Sequence, residues 1–220
     1  MIKCCIFDLD GTILDTISTI THYVNKTFHQ NGIDKITADE CKYFVGDGAR
    51  ELIKRALASK GISDTGRVED ILKQYKSAYD LNPLYLTSVF PGIYDVLSEL
   101  SGRGIKLAVV SNKPDLATKN VIRHFFSDRF DAVVGSVEGV PLKPNPTVAE
   151  GVLYELGITP SETAWIGDTA TDIKTAKNLN AALSVGVLWG FREREELAFA
   201  GADAIVSKAD EIVREVLSVV

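Results

Sequence analysis

The sequence is poor in the residues that staple or chelate: only three cysteines and three histidines occur among 220 positions. Cys4, Cys5 and Cys41 are odd in number and two are adjacent, which argues against a disulfide framework, and none stands at metal-ligand spacing. Cys4 and Cys5 read as buried, inert thiols, and Cys41 as a helix-face residue. His22, His29 and His124 fall inside helical patterns without a ligand partner, so they belong at surface or boundary positions. No internal repeat, low-complexity tract or proline-rich linker is present. No apolar run approaches a membrane span. The apolar start at Ile2–Phe7 is too short, and too soon followed by Asp8 and Asp10, to serve as a secretory signal, so the expected location is the cytoplasm. An excess of basic charge is also missing. Lys plus Arg is 24 against 30 Asp plus Glu, a formal charge of −6, which argues against broad nucleic-acid or anionic-membrane binding while leaving room for a local basic pocket. Nothing separates a monomer from a homodimer.

What is present is the composition of an ordinary globular chain, 45% hydrophobic and 25% charged, long enough for one sizeable core and a smaller second unit. After a short apolar run ending at Phe7, Ile17, Ile20, Val24 and Phe28 recur at helical intervals. Thr37-Ala38-Asp39-Glu40 has capping-box form and opens a second short helix. Leu52, Ile53, Ala56 and Leu57 mark a third helix, and Val68, Ile71, Leu72, Tyr75 and Tyr79 the inner face of a fourth. Beyond Pro91 helices alternate with short apolar strands at 105–110, 132–134, 164–166, 182–188 and 204–206. That alternation predicts a doubly wound, mostly parallel α/β sheet. The core is expected from 1–14 plus 85–220, with 15–84 as an inserted all-helical cap. An insertion directly after the first strand sits over the sheet edge where open α/β sheets bind ligands.

Four strand-end loops carry polar residues that packing does not require. The first holds Asp8, Asp10, Gly11 and Thr12. The second is Ser111-Asn112-Lys113. The third is Lys143-Pro144-Asn145-Pro146, stiffened by its prolines around the lysine. The fourth runs from Gly167 to Asp172 and again bears two carboxylates. Each residue has a plainer role open to it: Ser111 as a helix cap, Lys143 as solvated charge, Asp168 as a turn residue, Asp172 at a helix start. Parallel strands bring all four loops to one edge. Asp8, Asp10, Asp168 and Asp172 then crowd together, and an all-oxygen donor set favours magnesium. Ser111 and Lys143 supply the complement for phosphoryl oxygens, so the pattern suggests phosphoryl transfer.

DLDGT at 8–12, VVSN at 109–112, KPNP at 143–146 and GDTATD at 167–172 resemble, in order, the four signature motifs of the haloacid dehalogenase superfamily of phosphotransferases. The stretch Phe44–Arg50 and the pair Trp189-Gly190 resemble those of the phosphoglycolate phosphatases and related small-phosphoester hydrolases. The resemblance implies Asp8 as nucleophile and Asp10 as general acid and base. It also implies Mg2+ held by Asp8, the backbone carbonyl of Asp10 and Asp168, with Asp172 a ligand or an orienting group. Thr12 and Ser111 would hold the transferring oxygens, beside Gly11 and Asn112, and Lys143 would offset negative charge. A small phosphorylated metabolite, best matched by 2-phosphoglycolate, is the expected substrate. Gly48 and Arg50 are the expected cap contacts, with Arg50 either pairing with a substrate carboxylate or standing as a solvated helix arginine. A phosphosugar mutase, a pyrophosphatase and a non-catalytic receiver-like phospho-switch are the competing readings. A dehalogenase is disfavoured, because halide displacement leaves Asp10, Asp168 and Asp172 without a task.

Overall fold

The computed structural model describes residues 1–219; the last residue of the expected core lies outside that range. The first strand, β1 (Cys4–Phe7), is fully buried and leads through a tight loop into the two-residue β2 (Leu14–Asp15). Four helices follow: α1 (Ile17–Gln30), α2 (Ala38–Phe44), α3 (Ala49–Ala58) and α4 (Thr65–Leu81). The Thr37/Glu40 capping box is formed, Glu40 N–H donating to Thr37 Oγ1 at 3.1 Å and Thr37 N–H to Glu40 Oε2 at 2.6 Å. The chain returns through β3 (Ser88–Val89) into α5 (Ile93–Gly102), β4 (Lys106–Pro114) and α6 (Asp115–Phe126). It continues as β5 (Ala132–Ser136), α7 (Thr147–Leu156), β6 (Thr163–Gly167) and α8 (Ala170–Leu179). It ends as β7 (Leu183–Val187), α9 (Arg194–Phe199), β8 (Ala204–Val206) and α10 (Asp210–Ser218).

The main sheet has six strands in the order β5-β4-β1-β6-β7-β8, and every neighbouring pair is parallel. Alternation along β1 sorts its side chains to opposite faces. Cys5 and Phe7 pack with apolar residues of α5, α6 and α10, whereas Cys4 and Ile6 pack with Trp165 and with residues of α7 and α8. A separate apolar cluster, centred on Phe28, Ile53, Leu57 and Ile71, holds the four cap helices together. All three cysteines are buried and free. No helix among the described residues is long and apolar enough to cross a membrane.

Three features depart from the sequence reading. The crossings between core and cap carry an unexpected two-stranded ribbon, β2 and β3 pairing antiparallel with Leu14 opposite Val89 and Asp15 opposite Ser88. They are tied further by Thr19, whose hydroxyl donates to the Tyr85 carbonyl at 2.6 Å. The strand expected to stop at 110 runs on to Pro114, with an irregular register between Val110 and Pro114. The six-residue α9 is unforeseen, being polar and short.

Candidate active site

Asp8 leaves β1 at the centre of the sheet, flanked by the ends of β4 and β6, the place where strand order reverses. Asp168 follows β6 and Asp172 lies in the first turn of α8. One carboxylate oxygen from each of Asp8, Asp168 and Asp172 lies within 4.8 Å of the others, and all three residues are buried. Each carboxyl is fixed from outside. Asp168 Oδ1 accepts from the Thr12 hydroxyl at 3.0 Å and Oδ2 from the Phe191 N–H at 2.7 Å. Asp172 Oδ2 accepts from the Thr169 N–H and hydroxyl, and its Oδ1 from Lys143 Nζ at 2.7 Å. Lys143 Nζ also stands 2.7 Å from Asp8 Oδ1. Beyond that ion contact, Asp8 Oδ1 has no hydrogen-bond partner among the described residues.

This arrangement is electrostatically unfinished. Burial, with Asp172 and Asp10 adding to it against the opposing pull of Lys143, pushes the Asp8 carboxyl up to about 7. Burial, then Asp172 and Asp8, raises Asp168 well above the carboxylate range. Burial works against the charge of Lys143, yet Asp172 and Asp8 outweigh it and raise its pKa, so one ammonium faces three carboxyls. A hard divalent cation fits the all-oxygen donor set and the charge deficit. Close approach to Asp168 is what the local glycines permit. A Cβ on Gly11 (φ +88°) or on Gly190 would run into the Asp168 carboxylate.

The remaining expected residues divide. Ser111, Asn112, Asp10 and Gly48 line a cavity of about 70 Å³ that opens onto Asp8 between core and cap. Asn112 accepts from the Lys143 N–H at 2.9 Å and donates to the Lys143 and Gly46 carbonyls, so it braces the lysine loop and the cap. Lys143 is buried, which sets aside the solvated alternative. Two expectations are corrected. Thr12 does not reach the cavity as a phosphoryl ligand; it is fully buried with its hydroxyl spent on Asp168. Arg50 does not face the cavity either. It lies on the exposed side of α3, its guanidinium 2.7 Å from Glu69, because the inner face of that helix is taken by Leu52, Ile53, Ala56 and Leu57. The Asp10 carboxylate stands outside the three-acid cluster and is gripped by Lys113.

The sequence reading places Lys113 in a strand-end loop and Tyr79 on a helix face but gives neither a site role, and it does not reach the Phe191 N–H. Lys113 adjoins the Ser111-Asn112 pair, and that adjacency was the available signal. The cap is docked onto the core by Arg192, which donates to the Lys42 and Val45 carbonyls, and by Asp47, which accepts from the Thr171 hydroxyl at 2.8 Å.

A family profile described as haloacid dehalogenase-like hydrolase matches residues 5–185. The chain belongs to the haloacid dehalogenase-like hydrolases. Among sequence relatives, the phosphoglycolate phosphatase of Rhodospirillum rubrum is 32% identical over 211 residues, covering 93% of this chain and 87% of its own. That of Vibrio vulnificus is 30% identical, covering 98% and 96%. A solved structure from Lactobacillus delbrueckii subsp. bulgaricus, with a provisional phosphoglycolate phosphatase designation, superposes with a TM-score of 0.93 at 33% identity over 98% of both chains. CbbY from Rhodobacter sphaeroides, solved in complex with phosphate, superposes at 0.80 with 25% identity over 96% of both. This haloacid dehalogenase-like protein is therefore a phosphatase, and its buried aspartate cluster is the candidate centre for a divalent metal.

Proposed function

We propose that the chain is a magnesium-dependent phosphomonoester hydrolase that works through an aspartyl-phosphate, with 2-phosphoglycolate as its substrate. The observation that carries the proposal is the placing of Asp8 in the wall of a cavity between core and cap, beside Lys143 and two further buried carboxyls. Asp8, Asp168 and the Asp10 carbonyl would hold the cation, and Asp172, whose Oδ1 accepts from Lys143 Nζ at 2.7 Å, orients that lysine. When bound, magnesium supplies positive charge that shields the incoming phosphoryl group from the carboxylates.

Asp8 attacks phosphorus in line with the leaving oxygen; the P–O bond to the alcohol breaks and a phosphoryl–carboxylate bond forms. Asp10 gives its proton to the departing alkoxide. It then takes a proton from the water that cleaves the aspartyl-phosphate, returning Asp8 and releasing inorganic phosphate. Lys143 and the Ser111 hydroxyl hold the phosphoryl oxygens as charge shifts across them. The phosphoglycolate phosphatases among the relatives, at 30–32% identity, favour a two-carbon acid over the hexose a phosphosugar mutase must turn around.

The experiment is phosphate release from 2-phosphoglycolate in magnesium buffer by the wild type and by Asp8→Asn. The variant should fold, bind phosphate and release none. Appreciable turnover by Asp8→Asn would remove the nucleophile assignment.

A further inference from the structure

Lys113 is a buried cation that phosphoryl transfer leaves unused. Its side chain is 4% exposed. Its Nζ donates to Asp10 Oδ1 at 3.0 Å and Oδ2 at 3.1 Å, and to Tyr79 Oη, on cap helix α4, at 2.5 Å. The same ammonium lies 4.6 Å from the centre of the Tyr79 ring. A desolvated cation holding both oxygens of one carboxylate is a carboxylate receptor that already has an occupant.

Position gives this meaning. Lys113, Asp10 and Tyr79 line the same cavity as Asp8 and Ser111, and Ile20, Val45 and Leu52 give it apolar wall. The other lysine on that wall, Lys76, is exposed on α4 and keeps its hydration. A phosphoester seated on Asp8 thus shares its cavity with the buried Lys113 ammonium. While both Asp10 oxygens are held by Lys113, Asp10 is not free to serve the ester oxygen.

We propose that Lys113, backed by Tyr79, is the receptor for a carboxylate on the leaving group, and that Asp10 fills this receptor until substrate arrives. The proposal rests on the phosphatase reading above and assigns the residue that reads the carboxylate of its substrate. A carboxylate tail takes over the hydrogen bonds of Lys113, and the displaced Asp10 takes up a proton from solvent, gives it to the departing alkoxide and then serves as base. An uncharged tail leaves the Lys113–Asp10 pair closed. Selection then falls on kcat as well as KM, because the charge of the tail is what releases the catalytic group.

The test is an NMR titration of the magnesium-loaded protein with glycolate, which needs no turnover and so stands apart from the nucleophile assignment. Asp10→Asn removes the resident carboxylate and should tighten glycolate binding about tenfold or more, whereas Lys113→Met should weaken it by a similar factor. Glycolate affinity that Asp10→Asn leaves at the wild-type value, or that is absent in every form, overturns the proposal even if Lys113→Met fails to fold. Kinetics give the second readout. Lys113→Met should lose about tenfold more kcat/KM on 2-phosphoglycolate than on 2-hydroxyethyl phosphate, and Lys113→Arg should recover part of the difference. Equal losses on both esters, or a selective loss that follows Lys76→Met instead, overturn it.

Discussion

Consider the metal-free protein carried from about pH 5 to about pH 8. Burial, above all, pushes the Asp8 carboxyl of the folded chain up to about 7 from its ordinary 3.8. A carboxyl raised on folding favours the folded state while protonated, and that contribution is lost as pH climbs from the unfolded value toward the folded one. Each pH unit in which only the unfolded chain is ionised costs about 1.4 kcal/mol, so the rise from pH 5 to pH 7 removes about 3 kcal/mol. Asp168, raised by burial and by its acidic neighbours, acts in the same direction. Carboxyls whose pKa is lowered, such as Asp47, Asp131 and Asp203, act oppositely, but they are ionised in both states throughout this window and offset nothing. A divalent cation stabilises the ionised cluster and reverses the loss. For a chain of 220 residues, about 3 kcal/mol corresponds to roughly 6–12 °C in Tm. Thermal unfolding followed by circular dichroism, with chelator and with magnesium, reads this directly. Magnesium should raise Tm by that much more at pH 8 than at pH 5. An equal shift at both pH values, or a metal-free Tm that climbs across the window, would refute the reasoning.

Other perturbations follow from single contacts. Gly190→Ala drives a Cβ into the Asp168 carboxylate and the Gly11 carbonyl, and should weaken magnesium activation about 10- to 100-fold while the protein stays folded, read from the metal dependence of phosphate release. Asp47→Ala removes the carboxylate that joins cap Arg55 to core Thr171 and should raise KM more than it lowers kcat, read from initial rates. Leu57→Ala, at a fully buried cap position, should cost about 2–5 kcal/mol in denaturant unfolding.

Much of this architecture is legible in the chain because period and chemistry agree there. The helix over Asp115–Phe126 and the strand at Ala204–Val206 follow from their hydrophobic spacing, and the acids after β1 and β6 stand out because charge directly beyond a buried strand needs a reason. What escaped has physical causes. β2 and β3 are two residues long, too short to show a period of two. The Phe191 contribution to Asp168 is a backbone N–H, which leaves no mark on side-chain identity. Tyr79 fits the apolar stripe of α4, so its hydroxyl is hidden inside a core pattern. Lys113 resembles solvated charge until the fold packs a helix over it. Arg50 shows the converse. One position along a helix turns a side chain by about 100°, enough to carry its guanidinium from the cavity side to Glu69.

The paired crossings have a consequence for how such a protein changes over time. Since Leu14–Asp15 and Ser88–Val89 lie side by side, the core meets everything between them as one loop with touching ends. Closing a loop costs only a slowly growing amount as it lengthens, so exchanging the inserted segment for a longer, shorter or unrelated one leaves the parallel sheet nearly indifferent. The inserted segment can therefore diverge while the parallel sheet stays as it is, and a chimera joined at that ribbon would take Asp8 and Lys113 from one parent and Tyr79, with the apolar wall, from the other.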